Sequence, residues 1–381
     1  MGDFIGGIGS SLHTIIFFII AISVLVSVHE FGHFWVARRC GVKVEVFSIG
    51  FGKEIFGRTD RHGTRWRVAM LPLGGYVRFF GDADATSALP DGTIAMTEAE
   101  RKVSFAGQSV GKRAAIAAAG PLANFLLAIV LFYGMFLALG QPFTAPVVDK
   151  VAEGSAAQAA GLQPGDRILT ADGASIERFE DLILVMRLNQ GTPVALTVNR
   201  GGERITINAT PSITEIDNGQ GGKQKIGLLG VSSSGVEFRE HGVVDSLWYA
   251  TREVGSVIDV TATAVGQMLR GTRGTEELGG PLRIADMSGR MAKAGIENFI
   301  WLIAALSVNL ALFNLLPVPM LDGGHLLFYA FEAIRGRPLG DRTQEFGFRV
   351  GLAMVLTLMV FATWNDLVQL RVVDFISRLF N

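Results

Sequence analysis

The chain has 381 residues, of which 49% are hydrophobic and 18% are charged, and its formal net charge is −1. This composition is too apolar for an ordinary soluble protein and too charged for a chain that lies wholly within a membrane. The near-neutral charge gives no support to nucleic-acid binding. The single cysteine, Cys40, excludes an intramolecular disulfide and a multi-cysteine zinc site. We therefore expect a membrane protein with a soluble insertion.

The first predicted element is a transmembrane helix over about residues 12–37. Its residues are almost all hydrophobic up to a His-Glu-x-x-His motif, which lies near the C-terminal end of the helix. No Lys or Arg precedes the apolar run and no small-residue cleavage site closes it. These features favour a retained helix over a signal peptide.

The motif places His29 and His33 one turn apart on the same helical face. Two imidazoles so placed can bind one Zn²⁺, and Glu30 can take a proton from the metal's water. In a soluble helix a histidine is more often a core residue than a ligand. An ionisable group at the centre of a membrane helix costs about 2.5–3.5 kcal/mol on insertion scales, which favours a functional role.

The next segment, 38–113, is rich in Lys and Arg, so the positive-inside rule places it in the cytoplasm and the N-terminus outside. Residues 42–80 are rich in Val, Phe and Tyr and are interrupted by glycines. This pattern predicts a β-hairpin associated with the cytoplasmic side of the membrane, and a surface hairpin without a substrate role is the alternative. We expect the polar residues 82–98 to form a loop.

A second transmembrane helix is predicted over about residues 112–139, which completes a first membrane part over 1–140. It contains Pro121 and Asn124. Proline is tolerated in a membrane helix when neighbouring groups satisfy the freed carbonyl, and Asn124 suits such contacts. A simple interhelical hydrogen bond is therefore an alternative to a functional role for Asn124.

Residues 141–236 differ in kind, because short predicted strands alternate with turns. The run AGLQPGDRIL at 160–169 resembles a PDZ domain of the bacterial type, an α+β fold. Residues 180–188 would then form the helix beside its groove, which accepts an extended peptide by β-augmentation. The resemblance implies a peptide ligand in that groove, and a domain that acts only as a spacer is the alternative.

Residues 237–297 are predicted to hold an amphipathic helix, over about 243–270, that lies on the membrane surface, followed by a short turn at 279–287.

A third transmembrane helix over about 298–316 leads into a loop at 314–325. The loop contains two prolines, which stop a regular helix. A fourth helix over about 350–366 returns outward, and we expect the tail to residue 381 to lie at the outer interface. The second membrane part is thus 298–381.

Asp322 lies in the 314–325 loop, and irregular backbone at membrane depth persists only where protein or a cavity surrounds it. Asp322 should therefore point inward, at the same depth as His29 and His33. The three side chains complete the ligand set of a catalytic zinc, with Glu30 as general base and then general acid. Asn314 is positioned to bind the substrate backbone or an oxyanion. His325 is a weaker ligand candidate because it lies three residues farther along.

Five motifs together resemble the site-2 protease family of intramembrane zinc metalloproteases, in the branch of the bacterial regulator of sigma-E protease. The motifs are HEFGH at 29–33, SIGFGKEIF at 48–56, LPLGGYVRF at 71–79, GPLANF at 120–125 and NLLPVPMLDGGHLLF at 314–328. The resemblance implies zinc ligation by His29, His33 and Asp322, catalysis by Glu30, and substrate binding by Asn314. It also implies substrate contacts at Gly50, Phe51, Gly52 and Asn124. Well-known members carry two PDZ domains, whereas this sequence shows one.

The resemblance implies an enzyme of the bacterial inner membrane, and the placement of Lys and Arg with four crossings predicts that both termini lie outside the cytoplasm. It would cleave transmembrane segments of single-pass proteins within the lipid bilayer, such as an anti-sigma factor already trimmed outside during an envelope stress response. An ion-relay transporter and an inactive PDZ membrane adaptor are the alternatives. Four helices without an inverted repeat argue against the transporter. The presence of all four site residues argues against the adaptor.

Overall fold

The computed structural model describes residues 2–81, 97–217, 223–233, 235, 237–271, 279–337 and 339–369. The predicted loop at 82–98 and the predicted interfacial tail fall almost wholly outside these residues. Residue contacts divide the chain into two units. We call residues 1–132, 250–258 and 279–363 the membrane unit, and residues 133–249, 259–278 and 364–381 the inserted unit.

The described residues form ten helices and twelve strands. The helices are, in chain order, α1 (Gly2–Arg39), α2 (Glu98–Val103), α3 (Val110–Leu139), α4 (Ala156–Ala160), α5 (Phe179–Leu188), α6 (Val243–Leu269), α7 (Pro281–Ala294), α8 (Ile296–Asn314), α9 (Asp322–Arg335) and α10 (Asp341–Gln369). The strands are β1 (Val44–Thr59), β2 (Arg65–Phe79), β3 (Gln141–Phe143), β4 (Lys150–Val151), β5 (Arg167–Ala171), β6 (Ala174–Ser175), β7 (Val194–Arg200), β8 (Glu203–Ala209), β9 (Ser212–Asp217), β10 (Lys223–Leu228), β11 (Val231–Ser232) and β12 (Glu237–Arg239).

Four of the described helices are long and apolar enough to cross a membrane. The spans are Ser11–Arg39 in α1, Val110–Leu139 in α3, Ile296–Asn314 in α8 and Arg342–Val368 in α10. Since about 20 apolar residues cross the hydrocarbon core, each span is sufficient in length. The expectation of a membrane protein with four apolar helices is confirmed.

Small residues allow the helices of the membrane unit to approach one another closely. A Cβ atom added at Gly32 of α1 would lie 2.3 Å from the backbone oxygen of Ala119 on α3. Closer to the start of α1, Ala21 and Leu25 are buried against Phe299 and other apolar residues of α8. Close packing of this kind holds helices together in lipid, where apolar burial alone gives no driving force.

The predicted hairpin region is an antiparallel pair, β1 and β2, with several register shifts. Residues 46–49 have partners on both sides, in 65–68 and in 75–78, so the two long strands fold back on themselves. The start of β1 is buried, whereas the far end of the hairpin exposes large apolar side chains. These are Ile55, Phe56, Met70, Leu71 and Leu73. The Ser23 hydroxyl of α1 donates a hydrogen bond of 2.8 Å to the Pro72 carbonyl.

The turn predicted at 279–287 is wrong, because the chain forms the helix α7 from Pro281 to Ala294. Proline occupies the first turn of this helix, where its missing N–H costs no hydrogen bond. Ser288 and Gly289 of α7 are buried, and a Cβ atom at Gly289 would lie 2.2 Å from the Thr14 hydroxyl oxygen of α1. Contact with α1 therefore stabilises a helix that local sequence did not indicate.

The inserted unit contains a four-stranded sheet in the order β6-β5-β7-β8. Its buried core includes Ile168, Leu182, Leu196 and Val198. The turn before β5 is held by Asp166, which is fully buried and accepts hydrogen bonds of 2.7 Å from both Nε and Nη2 of Arg200. Burial raises the pKa of Asp166, but the hydrogen bonds from Arg200 and from the N–H of residue 163 outweigh it. The pKa of Asp166 therefore lies below its ordinary value.

Candidate metal centre

Three of the predicted site residues converge in the membrane unit. His29 Nε2 lies 3.0 Å from Asp322 Oδ2, and His33 Nε2 lies 3.4 Å from Asp322 Oδ1. The two Nε2 atoms are 3.2 Å apart. One ligand atom from each of these residues lies within 4.8 Å of the others, so a single ion between them can contact all three.

The chemistry of these donors fits zinc. His33 Nδ1 lies 2.8 Å from the Ile116 carbonyl of α3, which can only accept a hydrogen bond. Nδ1 therefore carries the proton, and the lone pair of Nε2 faces Asp322. A carbonyl behind the imidazole is the common way in which proteins fix the tautomer of a metal-binding histidine. Two imidazole nitrogens and one carboxylate are a ligand set found in catalytic zinc sites, in which water takes the fourth position.

The second histidine has a different partner. Asn124 of α3 is fully buried, and its amide Nδ2 lies 3.4 Å from His29 Nδ1, while its Oδ1 has no hydrogen-bond partner. If Nε2 of His29 binds a metal, Nδ1 must carry the proton and needs an acceptor. Turning the amide by 180° supplies Oδ1 as that acceptor. The position of Asn124 behind His29 thus suits it to orient a ligand, and its complete burial argues against the predicted substrate contact.

Gly120 of α3 makes space for both imidazoles. A Cβ atom at this position would lie 2.3 Å from His33 Nε2 and 2.8 Å from His29 Cε1. Any larger residue would therefore displace a ligand atom. Neither Gly120 nor Ile116 was predicted as a site residue. The glycine in the GPLANF motif was a visible signal, whereas a backbone carbonyl leaves none in the sequence.

Glu30 lies beside the three ligand residues without belonging to their group. Its Oε2 accepts a hydrogen bond of 3.1 Å from the Val77 N–H of β2. Gly75 of the same strand passes close to it, since a Cβ atom there would lie 3.7 Å from Glu30 Cγ. The hairpin therefore holds the carboxylate that was predicted to act as general base.

The loop between α8 and α9 brings Asp322 to the histidines through a tight turn. Met320 has φ of +85°, and Cβ atoms at Gly323 and Gly324 would each lie 2.3 Å from backbone oxygens of residues 315–318. Only glycine permits so close an approach at both positions. Asn314 is half-buried at the last residue of α8. His325 packs against Phe348, with ring centroids 5.4 Å apart, and is not in the ligand group.

The remaining predicted residues lie on β1, in the hairpin that contacts Glu30. Gly50 and Gly52 have φ of +90° and +89°, values that favour glycine. Phe51 is 44% exposed and stacks on Tyr76 of β2, with ring centroids 6.1 Å apart. Their described hydrogen bonds and ring contacts are with residues of the hairpin itself.

The chain matches known metalloproteases over most of its length. The model of peptidase family M50 matches residues 17–358. The chain belongs to peptidase family M50. A protein of Agrobacterium fabrum named "Putative zinc metalloprotease Atu1380" is 46% identical over 358 residues, which cover 93% of this chain and 95% of that protein. "Metalloprotease MmpA" of Caulobacter vibrioides is 40% identical over 384 residues, covering 94% and 96%.

Among solved structures, the PDZ domain of an SdrC-like protein from Listeria innocua matches 25% of this chain and 99% of its own, at 20% identity and a TM-score of 0.21. Membership of family M50, the site-2 protease family, and the zinc metalloprotease relatives establish a membrane metalloendopeptidase with a Zn²⁺ cofactor. The expected family, enzyme class and cofactor are thereby confirmed. The transporter and adaptor alternatives lose their support.

Proposed function

We propose that this M50 peptidase cleaves transmembrane segments of single-pass membrane proteins in a bacterial inner membrane. The observation that carries the proposal is the position of the ligand group. Two of its members lie within the apolar span Ser11–Arg39, and the third follows the span Ile296–Asn314 by eight residues. A peptide bond that reaches this group must come from a segment at the depth of these helices.

In this proposal His29, His33 and Asp322 hold the zinc, with the Ile116 carbonyl and Asn124 orienting the imidazoles. When bound, zinc lowers the pKa of a water molecule and polarises the scissile carbonyl. Glu30 accepts the proton of the attacking water and passes it to the leaving nitrogen. The hydrogen bond from the N–H of residue 77 keeps one oxygen of Glu30 fixed, so the other oxygen is available for proton transfer.

Substrate contacts are assigned to Asn314 and to the Gly50, Phe51 and Gly52 segment. A transmembrane helix hides its peptide bonds in internal hydrogen bonds, so cleavage needs groups that hold an unwound backbone. The half-buried amide of Asn314, at the end of α8, offers a donor and an acceptor. The exposed ring of Phe51 offers an apolar contact beside Gly52, which is also exposed, whereas Gly50 is buried.

The finer features rest on the sequence resemblance. We infer that the natural substrate is an anti-sigma-factor-like protein, already trimmed outside the cytoplasm, in an envelope stress response. The inserted unit would lie outside the cytoplasm and offer a PDZ-type groove to a peptide. Both chain termini would lie on that same side, with the hairpin on the cytoplasmic side.

The test is cleavage of model single-pass substrates by the purified full-length protein in lipid nanodiscs. We expect a zinc chelator to abolish cleavage and added Zn²⁺ to restore it. Glu30→Gln should lower the rate by about 10²–10⁴-fold, because the proton-transfer group is lost, while zinc content stays unchanged. Glu98→Gln, at an exposed glutamate on α2, is the matched control. Cleavage at the normal rate by Glu30→Gln, or cleavage that continues without zinc, would contradict the proposal.

A further inference from the structure

The inserted unit carries a pocket of about 450 Å³ that includes none of the residues of the metal centre. Its floor is the side of the four-stranded sheet opposite the core, and β3 and β12 close one edge. Three arginines line it, Arg167 of β5, Arg204 of β8 and Arg239 of β12. The hydroxyl groups of Thr170 and Thr197 also face it.

These arginines differ from others in the same unit by their lack of acidic partners. Within the described part of the chain, the side chains of Arg167 and Arg204 form no hydrogen bond or ion pair, whereas Arg200 on β7 binds Asp166. The guanidinium of Arg239 lies over the ring of Phe143, 3.1 Å from its centroid. Glu177 is the one acidic residue among the described residues that line the pocket, so the three arginines leave an excess of positive charge.

The pocket lies close to the point where the chain leaves a membrane span. Phe143, in its lining, follows Leu139, the last residue of that span, by four residues. Four residues reach at most about 14 Å. Arg239 pairs in register with Gln141, which is nearer still to the span. Since a headgroup layer occupies roughly 5–8 Å on each side of the hydrocarbon core, the pocket is within reach of lipid headgroups.

The helix that follows the pocket also has the surface of a membrane-interface segment. The first two turns of α6 expose four large apolar side chains. These are Val243, Val244, Leu247 and Trp248, at 62%, 79%, 49% and 66%. Tryptophan beside aliphatic residues is enriched where protein meets the headgroup layer. Arg239 precedes this helix by only four residues, so the pocket and the apolar start of α6 are neighbours along the chain.

We propose that this arginine pocket binds the phosphate of an anionic membrane lipid. A guanidinium pairs with phosphate through two parallel hydrogen bonds, and three of them match the several oxygens of a phosphodiester with its headgroup. Besides its two charged non-bridging oxygens, a lipid phosphodiester offers two ester oxygens and the headgroup hydroxyls as further acceptors, which a carboxylate lacks. The volume falls in the range of small-ligand sites and leaves room for a glycerol headgroup beside Thr170 and Thr197. Lipid binding here would fix the inserted unit at the membrane surface.

The test is calorimetric titration of the full-length protein in neutral detergent with three probes: short-chain phosphatidylglycerol, short-chain phosphatidylcholine and inorganic phosphate. The pocket variant is Arg167→Gln/Arg204→Gln. The control is Lys150→Gln/Arg187→Gln, which removes the same charge from exposed sites outside the pocket. We expect the pocket variant to bind phosphatidylglycerol about tenfold or more weakly, because two of the three positive charges that line the pocket are removed. The control should stay within about twofold of the unmodified protein.

Arg167→Lys/Arg204→Lys provides a second variant that keeps the charge and loses the paired hydrogen bonds. We expect its affinity for phosphatidylglycerol to fall between those of the Gln variant and the unmodified protein. Unchanged affinity in the Gln variant would overturn the site. Binding of inorganic phosphate as tight as that of phosphatidylglycerol would overturn the assignment to a lipid, as would equal affinity for phosphatidylcholine. Displacement by an acidic peptide but not by lipid would assign the pocket to a protein partner instead.

Discussion

At the scale of single residues, the metal centre depends on groups behind the ligands as much as on the ligands themselves. His29 and His33 each have one nitrogen facing Asp322 and the other facing α3. The Ile116 carbonyl fixes the tautomer of His33, and Asn124 is the group that can do the same for His29. Loss of such an outer partner typically lowers metal affinity by about 10–100-fold.

Asn124→Ala should therefore weaken zinc binding by about 10–100-fold, while the protein remains folded. The measurement is competition for zinc between the purified variant and a chelating dye. Ser307→Ala is the control, because the Ser307 hydroxyl donates to the Asn124 backbone oxygen and not to its side chain. An equal loss of zinc in Ser307→Ala would show that the contact between α3 and α8 matters, and not the amide facing His29.

Sequence spacing predicted the ligands more readily than their partners. His29 and His33 are one turn apart, so helical geometry alone brings them together. Asp322 was predicted from membrane topology, and the structure places its carboxylate beside both imidazoles. The resemblance implied a substrate contact at Asn124, and the sequence shows a polar residue in an apolar helix without showing what it faces. That information exists only once α3 is packed against α1.

At the scale of elements, small residues on both α1 and α3 determine how closely the two helices approach each other. Gly32 of α1 meets the Ala119 backbone, and one residue later Gly120 of α3 meets the two imidazoles. The helices can therefore pack closely enough for the Ile116 carbonyl to reach His33. A glycine inside a helix usually costs about 1 kcal/mol relative to alanine. At position 120 that cost is offset by the space it leaves for the ligands.

Gly120→Ala should displace the imidazoles and lower both zinc content and cleavage by at least about tenfold. A shift of roughly 1 Å in positioned groups can cost 10²-fold in rate. Gly134→Ala is a matched control on the same helix, because an added Cβ there meets nothing within 4 Å. We expect it to retain zinc and activity. Full zinc occupancy in purified Gly120→Ala would contradict the tight fit around the imidazoles.

Other elements show where local patterns were insufficient. The four spans were predictable because long apolar runs have few other interpretations. The helix α7 was not, because its sequence mixes polar and small residues whose burial against α1 becomes apparent only in the fold. The hairpin was recognisable by its composition, but its register shifts depend on contacts between residues far apart in the chain.

At the scale of the whole molecule, the number of spans and the position of the metal centre constrain each other. His33 lies near the end of the first span, and Asp322 follows the third span. Helices that cross alternately bring these two points to the same side of a membrane, as their contact requires. The contact between His33 and Asp322 therefore requires an even number of membrane crossings between them, and the second and third spans supply two.

Lysine and arginine predict which side of the membrane this is. Arg38 and Arg39 end the first span, Lys112 and Arg113 begin the second, and Arg335 precedes the fourth. The positive-inside rule predicts that these ends lie in the cytoplasm, with residues 140–295 on the opposite side. The metal centre would then lie toward the cytoplasmic surface, since six residues of helix from His33 to Arg39 rise only about 9 Å.

Reporter fusions test this orientation directly. Alkaline phosphatase, which is active only outside the cytoplasm, should be active when fused after Gly140 and inactive when fused after Arg337. Green fluorescent protein should give the reverse result at the same two positions. A fusion after Ser109, in the loop between the first two spans, serves as the cytoplasmic control. Active phosphatase after Arg337 or after Ser109 would invert the orientation and place the metal centre toward the outer surface, where an already trimmed substrate would reach it from the other direction.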